Sequence, residues 1–169
     1  YFGSVYQKQC DKDFSAAKEI EISKDKLKQW ISAFPKMRLA ISNHGMRWAK
    51  KAAMAEIPSQ MIKAYTDVLE IPHTWAYRYF WIIDGGKQRF MLKHGLGYGG
   101  QFAFKQAPLH EGISVVFGHL HSSAGIARIK TDGYAQELWG MNTGSLIDVS
   151  AFAFEYQREA KFKPNLGCG

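Results

Sequence analysis

Cysteine is nearly missing from this chain. Its two copies, Cys10 and Cys168, stand at opposite ends without metal-type spacing, which argues against a disulfide framework or a zinc–thiolate site and leaves them as reduced bystanders. No apolar run reaches the roughly 18 residues that a bilayer-spanning helix needs. The first thirty residues are polar and charged with no signal-peptide pattern, so a cytoplasmic protein with no membrane partner is expected. Gly95, Gly97, Gly99 and Gly100 are not followed by Gly-Lys-Ser/Thr, which speaks against a Walker or dinucleotide loop. Internal repeats, low-complexity segments and a compact basic block are also missing.

What is present fits one globular domain spanning residues 1–169, with 46% hydrophobic residues to build a core. A net charge of +7 favours polyanionic partners. The lysines are nevertheless spread along the chain, at Lys24, Lys26 and Lys28, at Lys50 and Lys51, and at Lys161 and Lys163. Solubility explains them as well as nucleic acid does, and nucleic acid stands as one candidate partner.

Residues 1–22 carry no clear pattern, whereas Ser23 as N-cap predicts a helix over 24–34, with Leu27, Trp30, Ile31 and Phe34 at helical spacing and Pro35 as its stop. A strand over 37–41 follows, then helices over 46–56 and from Pro58 to residue 69. Aromatic and β-branched density predicts a strand over 75–83. Asp84-Gly85-Gly86 then turns the chain into a strand over 88–92. A loop leads to a helix over 101–106 and to a central strand over 113–117. Residues 125–129 and 136–141 form a second hairpin around Thr131-Asp132-Gly133, and residues 151–156 fit a short helix or an edge strand. The fold class is therefore α/β, closed by a polar tail that wraps the surface.

Three of these strands end in histidine beside small residues: Ser42-Asn43-His44-Gly45, His94-Gly95, and Gly118-His119-Leu120-His121. Ligands collect beyond the carboxyl ends of strands in open α/β sheets, and neutral imidazole is a common ligand for first-row metals. Read separately, each is also an ordinary polar turn. Their joint occurrence points to a metal edge. His73 and His110 match no such pattern and are expected in loops.

In this order the three motifs resemble those of the calcineurin-like metallophosphoesterases, over residues 35–144. Phage-type members look similar around Pro58 and the closing Leu166-Gly167-Cys168-Gly169. The resemblance implies a four-layer αββα sandwich and hydrolysis of a phosphoester substrate, monoester or diester, by a metal-activated hydroxide. It implies that Asn43, His94 and His119 ligate one divalent ion, of manganese, zinc, iron or nickel type, that His121 ligates another, and that His44 is catalytic, protonating the leaving oxygen or holding the transition-state charge.

The sequence departs from that family in two ways. It contains no Asp-x-His and no Gly-Asp-x-x-Asp, the motifs that supply the other ion's ligands and the bridging carboxylate. The chain is thus expected to correspond to the C-terminal portion of the family domain, its N-terminal part missing, and to be weakly active or inactive. Gly45 also stands where the family places an acidic residue that orients the histidine. A non-catalytic binding or structural protein that keeps the fold, with nucleic acid as one partner, is the alternative.

Overall fold

Ser15, not Ser23, caps the first helix, α1 (Ala16–Ala33), its Oγ accepting the Lys18 N–H at 3.2 Å. The expected start at Lys24 is too late, because the stretch Ala16 to Ile22 is rich in helix formers. Glu19, in the first turn, also suits the positive end of the helix dipole. The computed structural model describes residues 15–130, 132, 137–148 and 161–167. The ends of the expected turn at Thr131 and Gly133, the segment 151–156, Cys10, Cys168 and Gly169 lie outside the described residues. The chain divides into two units, Tyr1–Arg78 and Tyr79–Gly169. It is mixed α/β, and no helix among the described residues is long and apolar enough to cross a membrane.

In the first unit, β1 (Met37–Ala40) and β2 (Trp75–Arg78) pair in parallel, from Met37↔Trp75 to Ala40↔Arg78. Between them lie α2 (Arg47–Met54), a 3-10 turn at Ser59–Met61 and the single-turn α3 (Tyr65–Val68). The single helix expected after Pro58 is not formed: Ile62 and Ala64 are extended, and Met61 is 78% exposed, so no continuous apolar stripe rewards one. α1 is tied to this sheet by polar contacts. Trp75 Nε1 donates to Phe34 O at 2.7 Å, Thr74 Oγ1 to Pro35 O at 2.7 Å, and Lys24 pairs with Glu70 at 2.9 Å.

The strand expected over 75–83 is two strands. β2 serves the first sheet, and β3 (Phe80–Asp84) serves the second, antiparallel to β4 (Arg89–Lys93). Apolar content continues through Tyr79, so propensity carries no sign of the break. The Asp84 carboxylate accepts the Gly86 N–H at 2.9 Å in the connecting turn, where Gly86 has φ +81°, the conformation for which glycine is suited.

α4 (Ala103–Glu111), β5 (Ser114–Phe117), β6 (Gly125–Ile129) and β7 (Leu138–Asn142) complete the second unit. Its five-stranded mixed sheet runs β3-β4-β5-β7-β6, with β4, β5 and β7 mutually parallel. Register places Ile82, Met91, Val115, Gly140 and Ala127 in one cross-strand row. α4 packs on this face, with Ala103 and Ala107 against Met91, Val115 and Phe117. Fully burying Phe117 contributes about 2 kcal/mol. The opposite row holds Trp81, Leu92, Val116, Met141 and Ile126.

α4 is longer than the helix expected over 101–106 and takes in His110, which is therefore helical. It continues through Pro108, whose missing N–H leaves the Phe104 carbonyl without its helical donor, and it ends at Gly112 in the left-handed conformation. That carbonyl lies against Gly140. A Cβ there would overlap Phe104 O and come within 2.6 Å of Pro108 Cγ, so only glycine lets helix and sheet approach this closely. Gly140→Ala is expected to lower unfolding stability by about 2–3 kcal/mol, read by urea titration. Gly99→Ala, where an added Cβ meets nothing within 4 Å, should change it by less than about 0.5 kcal/mol.

The same helix is locked at its end. Lys93 Nζ donates to Glu111 Oε1 at 2.7 Å, and Tyr98 OH donates to the same oxygen. The Lys93 hydrogen bond, then that of Tyr98, holds the Glu111 carboxyl below its ordinary value of 4.5. A lowered carboxyl adds stability above that value and loses it as pH falls through the folded-state value. Glu111→Gln should therefore cost about 1 kcal/mol near neutrality. Thermal melts at decreasing pH should show the gap between variant and parent closing below pH 4.5.

Candidate metal centre

Because β4, β5 and β7 are parallel, their carboxyl ends lie on one edge, with Lys93↔Phe117↔Asn142 in register. The chain leaves that edge at His94, Gly118 and Thr143. The ladder continues one step beyond the strands, Gly118 N–H donating to His94 O at 3.2 Å and Thr143 N–H to Phe117 O at 2.9 Å.

His119 stands in a tight turn. Its φ is +73°, and the Leu120 N–H donates across it to Gly118 O at 2.9 Å, a three-residue turn of the rare, strained γ class. This turn brings His119 Nδ1 to 3.0 Å from His94 Nε2, with the rings edge to face and 4.8 Å between centroids. Gly95 makes room for the approach. At φ +107°, its missing Cβ would stand 2.7 Å from Phe117 Cδ2, 3.1 Å from Gly118 O and 3.3 Å from His119 Cβ.

Two asparagines hold the loop. Asn142, 1% exposed at the end of β7, donates from Nδ2 to Leu120 O at 2.9 Å and to Ser123 Oγ at 3.1 Å. Asn165 donates its N–H to His121 O at 2.6 Å and its Nδ2 to Ser122 O at 3.2 Å. It also accepts from Ser145 N at 3.0 Å, beside the Ser145↔Leu166 bridge. The tail expected only to wrap the surface is thus a strap on the histidine loop. Neither asparagine stands out from the sequence by residue type, although Asn142-Thr143-Gly144 follows an apolar strand.

Burial, then the neighbouring His121, holds the His119 imidazole below its ordinary 6.5, and burial does the same for His121. Both rings are neutral at pH 7, so each keeps a lone pair that a cation can use. The pair as it stands is a hydrogen bond, and its N–N separation alone matches that of two ligands of one ion. Imidazole nitrogens about 2.0–2.1 Å from a metal lie about 2.9 Å apart at a right angle and about 3.3 Å at the tetrahedral angle, and the observed separation is 3.0 Å. Among the described residues, no three His, Cys, Asp or Glu side chains form a ligand group.

Asn43 and His44 belong to the first unit, beyond the end of β1. Ser42 Oγ accepts the Gly45 N–H at 3.0 Å, and His44 Nε2 lies 3.0 Å from the Arg47 guanidinium. A guanidinium only donates, so His44 Nε2 is the acceptor in this contact. Gly45 was expected to leave this imidazole unoriented; the Arg47 guanidinium, three residues on, contacts it instead.

Gly95→Ala should push the two histidine loops apart and lower unfolding stability by about 1–3 kcal/mol, measured by urea titration against the unaltered protein. At position 119, His119→Gly should be more stable than His119→Ala by about 1 kcal/mol, because only glycine adopts the left-handed backbone without penalty. Equal stabilities would show that the turn is not strained.

Comparisons with protein family models, with curated proteins and with solved structures find no match for this chain.

Proposed function

We propose that the protein is a metal-dependent phosphoesterase of the calcineurin-like type, with an incomplete centre that binds one divalent ion and turns over slowly. The observation that carries this reading is the 3.0 Å approach of His94 Nε2 and His119 Nδ1 beyond the carboxyl ends of parallel strands. A divalent ion there would supply the charge that activates water and steadies a phosphoryl group. The chain's own residues do the rest. His94 and His119 bind, Gly95 keeps their backbones close, and Asn142 fixes the turn. Asn43 is proposed as a further ligand of that ion, His121 as the ligand left at the neighbouring, incomplete position, and His44 as the group that protonates the leaving oxygen or holds the transition-state charge. With Nε2 accepting from Arg47, His44 must exchange that contact before it can give a proton.

The finer fold in this reading is the αββα sandwich, with the β3, β4 and β5 part of the mixed sheet in one inner layer. The apolar row Trp81, Leu92 and Val116 opposite α4 supports it. A second reading is a non-catalytic protein in which the histidine pair is a structural hydrogen bond. It is favoured by the lack of a third His, Cys, Asp or Glu ligand among the described residues.

Calorimetric titration with manganese or nickel should show one ion per chain, and His94→Ala or His119→Ala should each weaken it roughly tenfold or more. Hydrolysis of an aryl phosphodiester should be slight, since loss of a principal catalytic element costs about a hundredfold to a thousandfold. Absence of metal binding would favour the second reading. Two fully held ions, or turnover at ordinary enzymatic rates, would overturn the incomplete-centre account.

A further inference from the structure

The face of the second sheet opposite α4 carries a cavity of about 630 Å³, within the range of about 300–1,000 Å³ typical of small-molecule sites. It lies toward the amino end of β7, with Trp139 three residues before Asn142. At about 3.3 Å per strand residue this is roughly 10 Å from the histidine edge.

Trp139 is a fixed platform in this cavity. Its Nε1 donates to Gln88 Oε1 at 3.0 Å, Phe90 packs against it with 5.4 Å between centroids, and Gln88 is itself anchored to Ser114 Oγ at 3.1 Å and Glu137 O at 2.7 Å. Ile126 and Met141 extend the apolar floor. Two cations, Lys87 and Arg128, and one carboxylate, Glu137, line the same space. All three are exposed, and none forms an ion pair among the described residues.

We propose that this cavity binds a mononucleotide, its base stacked on Trp139, its phosphate on Lys87 and Arg128, and a sugar hydroxyl donating to Glu137. Each ligand part has its own chemical match. A flat apolar body suits the indole face. A dianion suits two cations that have no ion pair among the described residues, one of them a guanidinium able to hold two oxygens. A ribose hydroxyl suits a carboxylate that only accepts. A purely apolar ligand would leave the three charges unused, and free phosphate would leave the aromatic floor uncovered. The inference is independent of metal binding at His94 and His119.

The test is calorimetric titration of the full chain with AMP, adenosine and inorganic phosphate, in chelator so that no metal contributes. AMP should bind, and adenosine and phosphate should each bind about tenfold or more weaker. Affinity for AMP should also fall as salt is raised. Arg128→Gln, on the exposed edge strand, should lower AMP affinity about tenfold, bringing it toward that of adenosine. Trp139→Leu should lower AMP and adenosine together; if that variant does not fold, the ligand series on the unaltered chain and on Arg128→Gln decides. No AMP binding at millimolar concentration overturns the proposal. Equal affinity for AMP and phosphate, or AMP binding unchanged in Arg128→Gln, overturns it as well.

Discussion

Parallel pairing of β4, β5 and β7 is the constraint on which the candidate centre depends. Parallel strands finish on the same edge, so the register Lys93↔Phe117↔Asn142 brings three loop starts side by side. Register alone leaves the first residues past the strands only adjacent. Contact between two imidazoles requires one backbone to turn sharply and its neighbour to give way. The left-handed turn at His119 does the first and the missing side chain of Gly95 does the second. A non-glycine residue in that conformation costs about 1–2 kcal/mol, a cost that the surrounding hydrogen bonds must offset.

Those hydrogen bonds come from distant parts of the chain. Asn142 reaches the loop from β7, Asn165 from the closing segment, and Glu111 of α4 holds Lys93, just before His94, and Tyr98, four residues after it. Beneath them, α4 lies against Gly140 closely enough that no other residue fits. Strain at the histidine edge is thus supported by packing that is itself tightly specified, the pattern expected when a site is held ready in advance. The opposite face of the same sheet follows a different logic, with Trp139 fixed by Gln88 and Phe90 while charged groups around it are left to solvent.

Local signals in the sequence were legible where one short-range rule decides the outcome. Asp84-Gly85-Gly86 turned as its residues require, the alternation over 125–129 is a strand, and the apolar run before Gly118 is the central strand. His94 and His119, each read as lying past a strand end, stand together. What escaped reading depends on longer-range facts. The break at Tyr79 arises because β2 and β3 pair in different sheets. Helix α4 survives Pro108 because the helix is packed on the sheet, a tertiary gain that propensity does not contain. Ser15 outcompetes Ser23 because residues between them are good helix formers, a local property that an apolar stripe does not display. The roles of Arg47, Asn142 and Asn165 are partnerships across space or around a turn, visible only once the chain is folded.

The central claim is that His94 and His119 present two ring nitrogens to a single cation, and nitrogen-resolved NMR of the imidazoles tests it most directly. The account predicts that, on adding one equivalent of zinc, His94 Nε2 and His119 Nδ1 both move to the chemical-shift range of metal-bound nitrogen, and do so in proportion to one another. Shifts confined to one ring, or to neither, would contradict it.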